Sequence, residues 1–248
     1  KSYDIESNKE RQISNESVKE INRRNTIMRD NSLDIATMVA YTEAGKSITI
    51  KEKKNIVIAR TKDNGLEVGD IILSADNTTC EDVNDIKKII NNKEENDTVT
   101  FKILRNNKEK EVKSKIYLEN NSKVVGVVIV TEYDYDIDPK IDIKFKNSES
   151  GASGGLMLTL TIYNAITDGD IIKDRKIAGT GTISYDGTVG EIDGIKYKIM
   201  GAAKDNVKIV FVPTANYEEA IMTKNKYKYD LEIVRVDNFK EAIEYLKK

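Results

Sequence analysis

The chain has 248 residues, enough for one large domain or two small ones with a sizeable core. Its 33% charged and 39% hydrophobic residues, with a net charge of −2, describe a soluble globular composition without the basic footprint of nucleic-acid binding. One Cys excludes an internal disulfide framework, zero His excludes Ser-His-Asp and Cys-His catalysis, and no apolar run is long enough to span a bilayer.

The opening at Lys1 rather than Met leads us to expect a segment ahead of it. Residues 1–24 are almost wholly polar and read as a solvated helix or a frayed leader. From Thr26, Met28, Ile35, Met38, Val39 and Thr42 fall on one helical face, and Gly45 is a good residue to end the helix. Residues 46–118 form a small β-rich domain. Ser47–Ile50 and Ile56–Ala59 are predicted strands, and Asn64-Gly65 a turn. Asp82 caps a short helix bearing Val83, Ile86, Ile89 and Ile90. Thr98–Leu104 is a strand turned by Asn106-Asn107 into Glu111–Ile116.

Residues 119–123 read as a polar linker, and beyond them the pattern becomes α/β. Val124–Val130, Ile141–Phe145, Lys176–Ser184, Thr188–Ile192, Lys208–Val212 and Glu232–Val236 are predicted strands. Leu156–Ile166, Ile195–Lys204, Asn216–Thr223 and a closing segment with Phe239, Ala242, Ile243 and Leu246 are predicted helices. The fold class is mixed α/β: a mixed sheet with packed helices, preceded by the small β-rich domain. The predicted organisation is a leader and helix at 1–45, able to pack on the C-terminal domain, then domains at 46–118 and 119–248.

Two segments carry chemistry. Gly65–Asn77 (GLEVGDIILSADN) resembles the way a PDZ domain enters its central sheet. The resemblance implies capture of an extended peptide along a sheet edge, its C-terminal carboxylate held by backbone N–H groups. It implies that Lys46–Ile50, with Ile48, takes the peptide. The loop ending at Gly45 would hold its terminus, and Val83, Ile86 and Ile90 would line the pocket. A β-domain that packs and binds nothing is the alternative. Cys80 reads as a buried filler.

The second segment is Ser150–Met157 (SGASGGLM), a Gly-rich turn between a strand and an apolar helix. It places Ser153 at a helix start, where backbone N–H groups can receive an oxyanion. A phosphate-binding turn or a plain capping serine has the same pattern. In a chain without His, a nucleophile must be activated by a lysine, an acid, a metal or the chain's own amino terminus. Lys196, in Gly190–Lys198 (GEIDGIKYK), stands at another helix start and is an available base if neutral.

Ser153 and Lys196 lie 196 − 153 = 43 residues apart, with Ile177–Gly190 (IAGTGTISYDGTVG) between them. This layout resembles the Lon-type proteolytic domain (peptidase family S16). With the PDZ-like segment ahead of it, it resembles the Lon-like PDZ-containing serine proteases of Gram-positive bacteria, which lack the ATPase. The resemblance implies Ser153 as nucleophile, Lys196 as general base, Thr180 as a hydrogen-bonding support of the lysine, and Gly151 and Ala152 at the oxyanion site. It implies no cofactor or metal, polypeptide substrates chosen in part by their C-termini, no ATP or nucleic acid, and a homo-oligomer as an option. It also implies a membrane anchor outside this chain and a soluble part on the extracytoplasmic face. A peptide-binding scaffold with an idle protease-like domain is the alternative. Ala152 stands where the family usually has Pro, and Asp193-Gly194 where it often has Gly-Gly. A helix precedes the serine strand in Lon-type domains, so Thr26–Thr42 is expected to belong with the C-terminal domain across the PDZ-like insert.

Overall fold

The computed structural model describes residues 18–143 and 152–248, which form two compact units. The first joins the described residues up to Asn31 with Ile50–Asp134, and the second joins Ser32–Thr49 with Tyr135–Lys248. Helix α1 (Val18–Glu43) and strand β1 (Ser47–Arg60) supply residues to both.

In the first unit α1 takes in the end of the stretch read as a solvated helix or a frayed leader. Hydrogen bonds rather than an apolar stripe hold this half: Arg23 Nη1 donates to the Val68 carbonyl at 3.2 Å, and Asn31 Nδ2 to the Thr131 carbonyl at 2.5 Å. β1 is one strand where two were expected, because Lys51–Asn55 contains no Gly or Pro to break it. The strands β2 (Ile71–Ala75) and β3 (Thr78–Thr79), helix α2 (Val83–Asn91), and strands β4 (Thr98–Arg105) and β5 (Lys108–Lys115) follow. Asn106 and Asn107, at φ 52° and 59°, turn the β4–β5 hairpin. The expected polar linker is a second hairpin, β6 (Tyr117–Glu119) and β7 (Ser122–Val124), turned by Asn120-Asn121 at φ 48° and 61°. β8 (Val127–Asp138) completes a sheet of order β5-β4-β2-β1-β8, with β3 on β2.

Asp82 caps α2, accepting the Asn84 N–H at 2.7 Å. Ile86 and Ile90 of α2 join Val57, Leu66, Ile72, Phe101 and Ile103 in the core of this unit. Cys80 is buried beside them, and burial pushes its thiol up, which keeps it an inert filler. The Gly-Asp of the GLEVGD segment has a structural purpose. Asp70, 1% exposed, accepts the Glu67 N–H at 2.8 Å and takes the Arg105 guanidinium on both oxygens at 2.7 Å. That pairing holds the Arg105 charge above its ordinary range.

The second unit contains α3 (Gly155–Ile166), β9 (Ile177–Gly179), β10 (Thr182–Ile183), β11 (Val189–Gly190), α4 (Ile195–Lys204), β12 (Ile209–Pro213), α5 (Tyr217–Tyr227), β13 (Glu232–Val236) and α6 (Phe239–Lys247). Residues 141–143 are not in a strand, and the rest of the strand expected at 141–145 lies outside the described residues. The strand expected over 176–184 is two short ones, broken at Gly181, whose φ of 153° leaves the ordinary strand region. β13, β12 and β9 make a parallel sheet in that order. Its side chains alternate. Ile209, Phe211, Ile177, Val234 and Val236 pack with α3, α6 and Ala36, Val39 and Tyr41 of α1. Val210, Val212, Ala178 and Ile233 pack with α4 and α5 on the other face. Residues 32–49 therefore belong to this unit, which is discontinuous in sequence.

Removing Asp70 would take two charge-assisted hydrogen bonds from a guanidinium that is 15% exposed and leave it Glu67 and the Gly65 carbonyl. Asp70→Ala should cost about 1–3 kcal/mol. Urea denaturation of the whole chain checks this, and an unchanged midpoint would deny the pair its structural weight.

Candidate active site

The site lies past the C-terminal ends of two parallel strands. β9 ends at Gly179 and runs into Thr180 and Gly181; β12 ends at Pro213 and runs into Asn216. Ser153 sits in a 3-10 turn, Ala152–Gly154, that opens α3. Its carbonyl oxygen accepts two hydrogen bonds, from Thr180 Oγ1 at 3.0 Å and from the Gly181 N–H at 2.9 Å. The Gly181 carbonyl in turn accepts the Leu156 N–H at 3.1 Å. The turn is thus tied to the end of β9 at the serine carbonyl and again three residues later.

Two glycines make this approach possible. A Cβ on Gly181 would stand 2.6 Å from Val189 Cγ1, and its φ already disfavours any side chain. A Cβ on Gly155 would stand 2.9 Å from the Ile183 backbone nitrogen. Gly181 and Gly155 are therefore packing requirements of the serine turn, whereas a Cβ on Gly154 would meet nothing.

The loop before α4 is fixed from the other strand. Asn216, 4% exposed, accepts the Ile192 N–H at 3.0 Å and donates to the Ile192 carbonyl at 2.9 Å. This clamp sets where the chain enters α4 through Gly194, which has φ 71°. The first turn of α4 carries Lys196, Tyr197 and Lys198. Lys198 Nζ donates to Ser153 Oγ at 3.2 Å. Lys196 is half-buried, and its Nζ lies 5.2 Å from the centre of the Tyr197 ring.

Among the predicted residues, Ser153 stands at the helix start as expected. The lysine bonded to its hydroxyl is Lys198, two positions beyond the expected one. Thr180, expected to support the lysine, donates its hydroxyl proton to the Ser153 carbonyl. Ala152 opens the same turn, and Gly151 lies outside the described residues. Sequence reasoning missed Lys198 and Asn216. An Asn three residues after a strand-ending Pro213 gives no local signal of a partner 24 positions earlier. Among the described residues, no group of three His, Cys, Asp or Glu side chains is placed to hold a metal ion.

The peptide-binding prediction fares differently. Gly45 and Ile48 belong to the second unit, where Ile48 packs against the core. Ile86 and Ile90 are core residues at 1% and 6% exposure, and Val83 is half-buried. Within the first unit's sheet β1 is an interior strand, between β2 and β8, so the edge strand on that side is β8. β8 runs beside α2: Thr131 Oγ1 accepts the Val83 N–H at 3.2 Å and donates to Asn55 Oδ1 of β1 at 2.9 Å. Val127 and Ile129 pack onto the core that holds Ile86 and Ile90. The edge strand beside the helix thus comes from sequence that follows the expected peptide-binding domain.

Residues 140–247 match the family model of the Lon protease (S16) C-terminal proteolytic domain, and residues 42–116 match that of the PDZ domain. The chain is similar to the Lon protease of Mesomycoplasma hyopneumoniae (strain 232), 30% identical over 98 residues, covering 40% of this chain and 11% of that protein. It is similar to the archaeal Lon protease of Halobacterium salinarum, 30% identical over 104 residues, covering 41% and 15%. It is also similar to the Lon protease of Campylobacter concisus, 27% identical over 143 residues, covering 52% and 18%. The chain therefore spans only 11% to 18% of the length of these relatives. A solved PDZ domain of an SdrC-like protein from Listeria monocytogenes is 18% identical, covers 33% of this chain and 93% of its own, and has a TM-score of 0.31.

Asn216→Ala leaves a buried N–H and a buried carbonyl of Ile192 without partners, a cost of about 1–3 kcal/mol. It should lower the melting temperature and slow the reaction of Ser153 with a serine-directed covalent probe. Both are measured on the purified chain, and unaltered probe reactivity would separate the clamp from the site.

Proposed function

We propose that this chain, which joins a PDZ domain to a Lon-type proteolytic domain, is a serine endopeptidase that uses a serine–lysine pair and cleaves unstructured polypeptides without ATP. The observation that carries the reading is the Ser153 hydroxyl at the head of α3, hydrogen-bonded to the amine of Lys198 from the first turn of α4, the turn that also carries Lys196, in a chain without histidine.

Ser153 Oγ attacks the scissile carbonyl carbon while Lys196 takes the hydroxyl proton. Lys196 has the role by resemblance: it stands 196 − 153 = 43 residues after the serine, as in Lon-type domains. Backbone N–H groups of the serine turn receive the oxyanion. Lys196 passes the proton to the leaving amine, and a water then hydrolyses the acyl-enzyme. The sequence contains no Gly-x-x-x-x-Gly-Lys-[Ser/Thr] phosphate loop, which supports substrates that are already unstructured.

The PDZ domain contributes substrate choice. An extended peptide with a free carboxylate would add to the edge of β8 beside α2. By the likeness to Gram-positive Lon-like proteases, the site faces the outside of a membrane.

Ser153→Ala and Lys196→Ala should each abolish hydrolysis of casein-like unstructured protein, and the double variant should lose little more, because the two groups act as a unit. Lysine ordinarily titrates near about 10.4 and serves as a base only when neutral, so the rate should climb from neutral into alkaline pH. EDTA and omission of nucleotide should change nothing. Near-normal turnover by Lys196→Ala would refute the pair. Failure of Ser153 to label with a serine-directed probe would favour a peptide-binding scaffold with an idle proteolytic domain.

A further inference from the structure

We propose that Lys198 is a second reacting lysine of this site: its ammonium donates a hydrogen bond to Ser153 Oγ and stabilises the negative charge that gathers there as the proton leaves. The inference rests on the endopeptidase reading and assigns a role that Lys196 does not fill.

The contact is 3.2 Å between Lys198 Nζ and Ser153 Oγ. Both ends of it stand on fixed backbone. The serine turn is held by Thr180 and the Gly181 N–H, and Gly155 is seated on Ile183. The helix start is held by the Asn216 clamp on Ile192, and the Tyr197 N–H closes the first turn on the Gly194 carbonyl at 3.1 Å. Lys196 and Lys198 both lie in the first turn of α4, whose start the clamp fixes.

The reaction needs two different things from the groups around Oγ. One must accept a proton and so present a lone pair. Another must lower the free energy of a developing alkoxide, which calls for a donor with positive charge. One amine cannot do both at once. In acylation the Oγ proton passes to Lys196 Nζ, the bond from Oγ to the scissile carbon forms, and the Lys198 hydrogen bond strengthens as charge builds on Oγ. Lys196 then hands that proton to the leaving amine as the bond from the scissile carbon to nitrogen breaks. In deacylation a water gives a proton to Lys196 Nζ as its oxygen bonds to the acyl carbon, the bond from that carbon to Oγ breaks, Oγ regains the proton from Lys196, and Lys198 stabilises the departing oxygen. Every proton is accounted for, and Lys198 keeps its own throughout.

Arginine separates the two roles, because it donates but does not give up its proton in proteins. The full chain is tested as Lys198→Met, Lys198→Arg, Lys196→Met and Lys196→Arg, each checked for a wild-type melting temperature. Two readouts are taken: kcat/KM on an unstructured fluorogenic peptide, and the rate of Ser153 acylation by a serine-directed probe. Lys198→Met should lower both by about 100-fold, the usual effect of removing one donor to a developing oxyanion. Lys198→Arg should recover both to within about tenfold of the native chain, following the charge-assisted bond it restores. Both changes at Lys196 should be equally inactive.

Lys198→Met within about twofold of the native chain would overturn the proposal. Lys198→Arg as impaired as Lys198→Met would overturn it too, since Lys198 would then be exchanging a proton. Loss of the native fold in Lys198→Met would move the test to Lys198→Gln, read the same way. Failure of the endopeptidase reading looks different: hydrolysis surviving in Ser153→Ala, or native rates in Lys196→Met.

Discussion

Helices on opposite faces of one sheet can bring side chains together only past the ends of its strands. That constraint organises the second unit. The alternation along β12 sends Phe211 toward α3 and Val210 and Val212 toward α4. Ser153 heads α3 and the lysines head α4, so serine and amine meet at the strand ends or not at all. The parallel sheet makes the meeting regular, since every connection returns its helix start to the same end. Thr180 and Gly181 follow β9, and Asn216 follows β12, at that same end. The serine turn and the lysine turn are each tied to the strand end nearest to it.

Those ties explain why the sequence between Ser153 and Lys196 is rich in glycine. Gly179, Gly181 and Gly155 stand where a side chain would strike Met157, Val189 or Ile183. Thr180 uses its hydroxyl on the serine carbonyl while its backbone N–H reaches Phe211 of β12 at 3.0 Å. One residue therefore joins the nucleophile's turn to the central strand. Close backbone packing costs side-chain volume and returns positional precision, which a nucleophile and its partners need more than local stability.

Much of this was legible in the sequence. The Gly-rich turn before an apolar helix locates Ser153, and periodicity locates α2, α4, α6 and the parallel strands. What was not legible has physical causes. α1 begins in a polar stretch because its first half is held by hydrogen bonds to distant carbonyls, Val68 and Thr131, which leave no apolar period. The Asn120-Asn121 turn resembles a linker because asparagines serve both purposes, and only φ separates them. The resemblance to a PDZ domain puts peptide capture on Lys46–Ile50. The edge belongs to β8, supplied by residues after the PDZ match. Strand order is a property of long-range pairing and leaves no mark on either strand alone.

The choice between Lys196 and Lys198 marks where spacing stops informing. Residues two apart in sequence differ little in any linear comparison, and both lysines lie in the first turn of α4. Spacing from the serine selects Lys196; the hydrogen bond selects Lys198. The two are compatible if the chemistry needs a proton acceptor and a charged donor at one oxygen. A histidine can serve in both capacities at different moments because its two nitrogens are distinct. An amine has one nitrogen. On the proposed serine–lysine reading, a chain that carries no histidine therefore gains from a second lysine on the same turn, held by the same Asn216 clamp and brought to the same strand end.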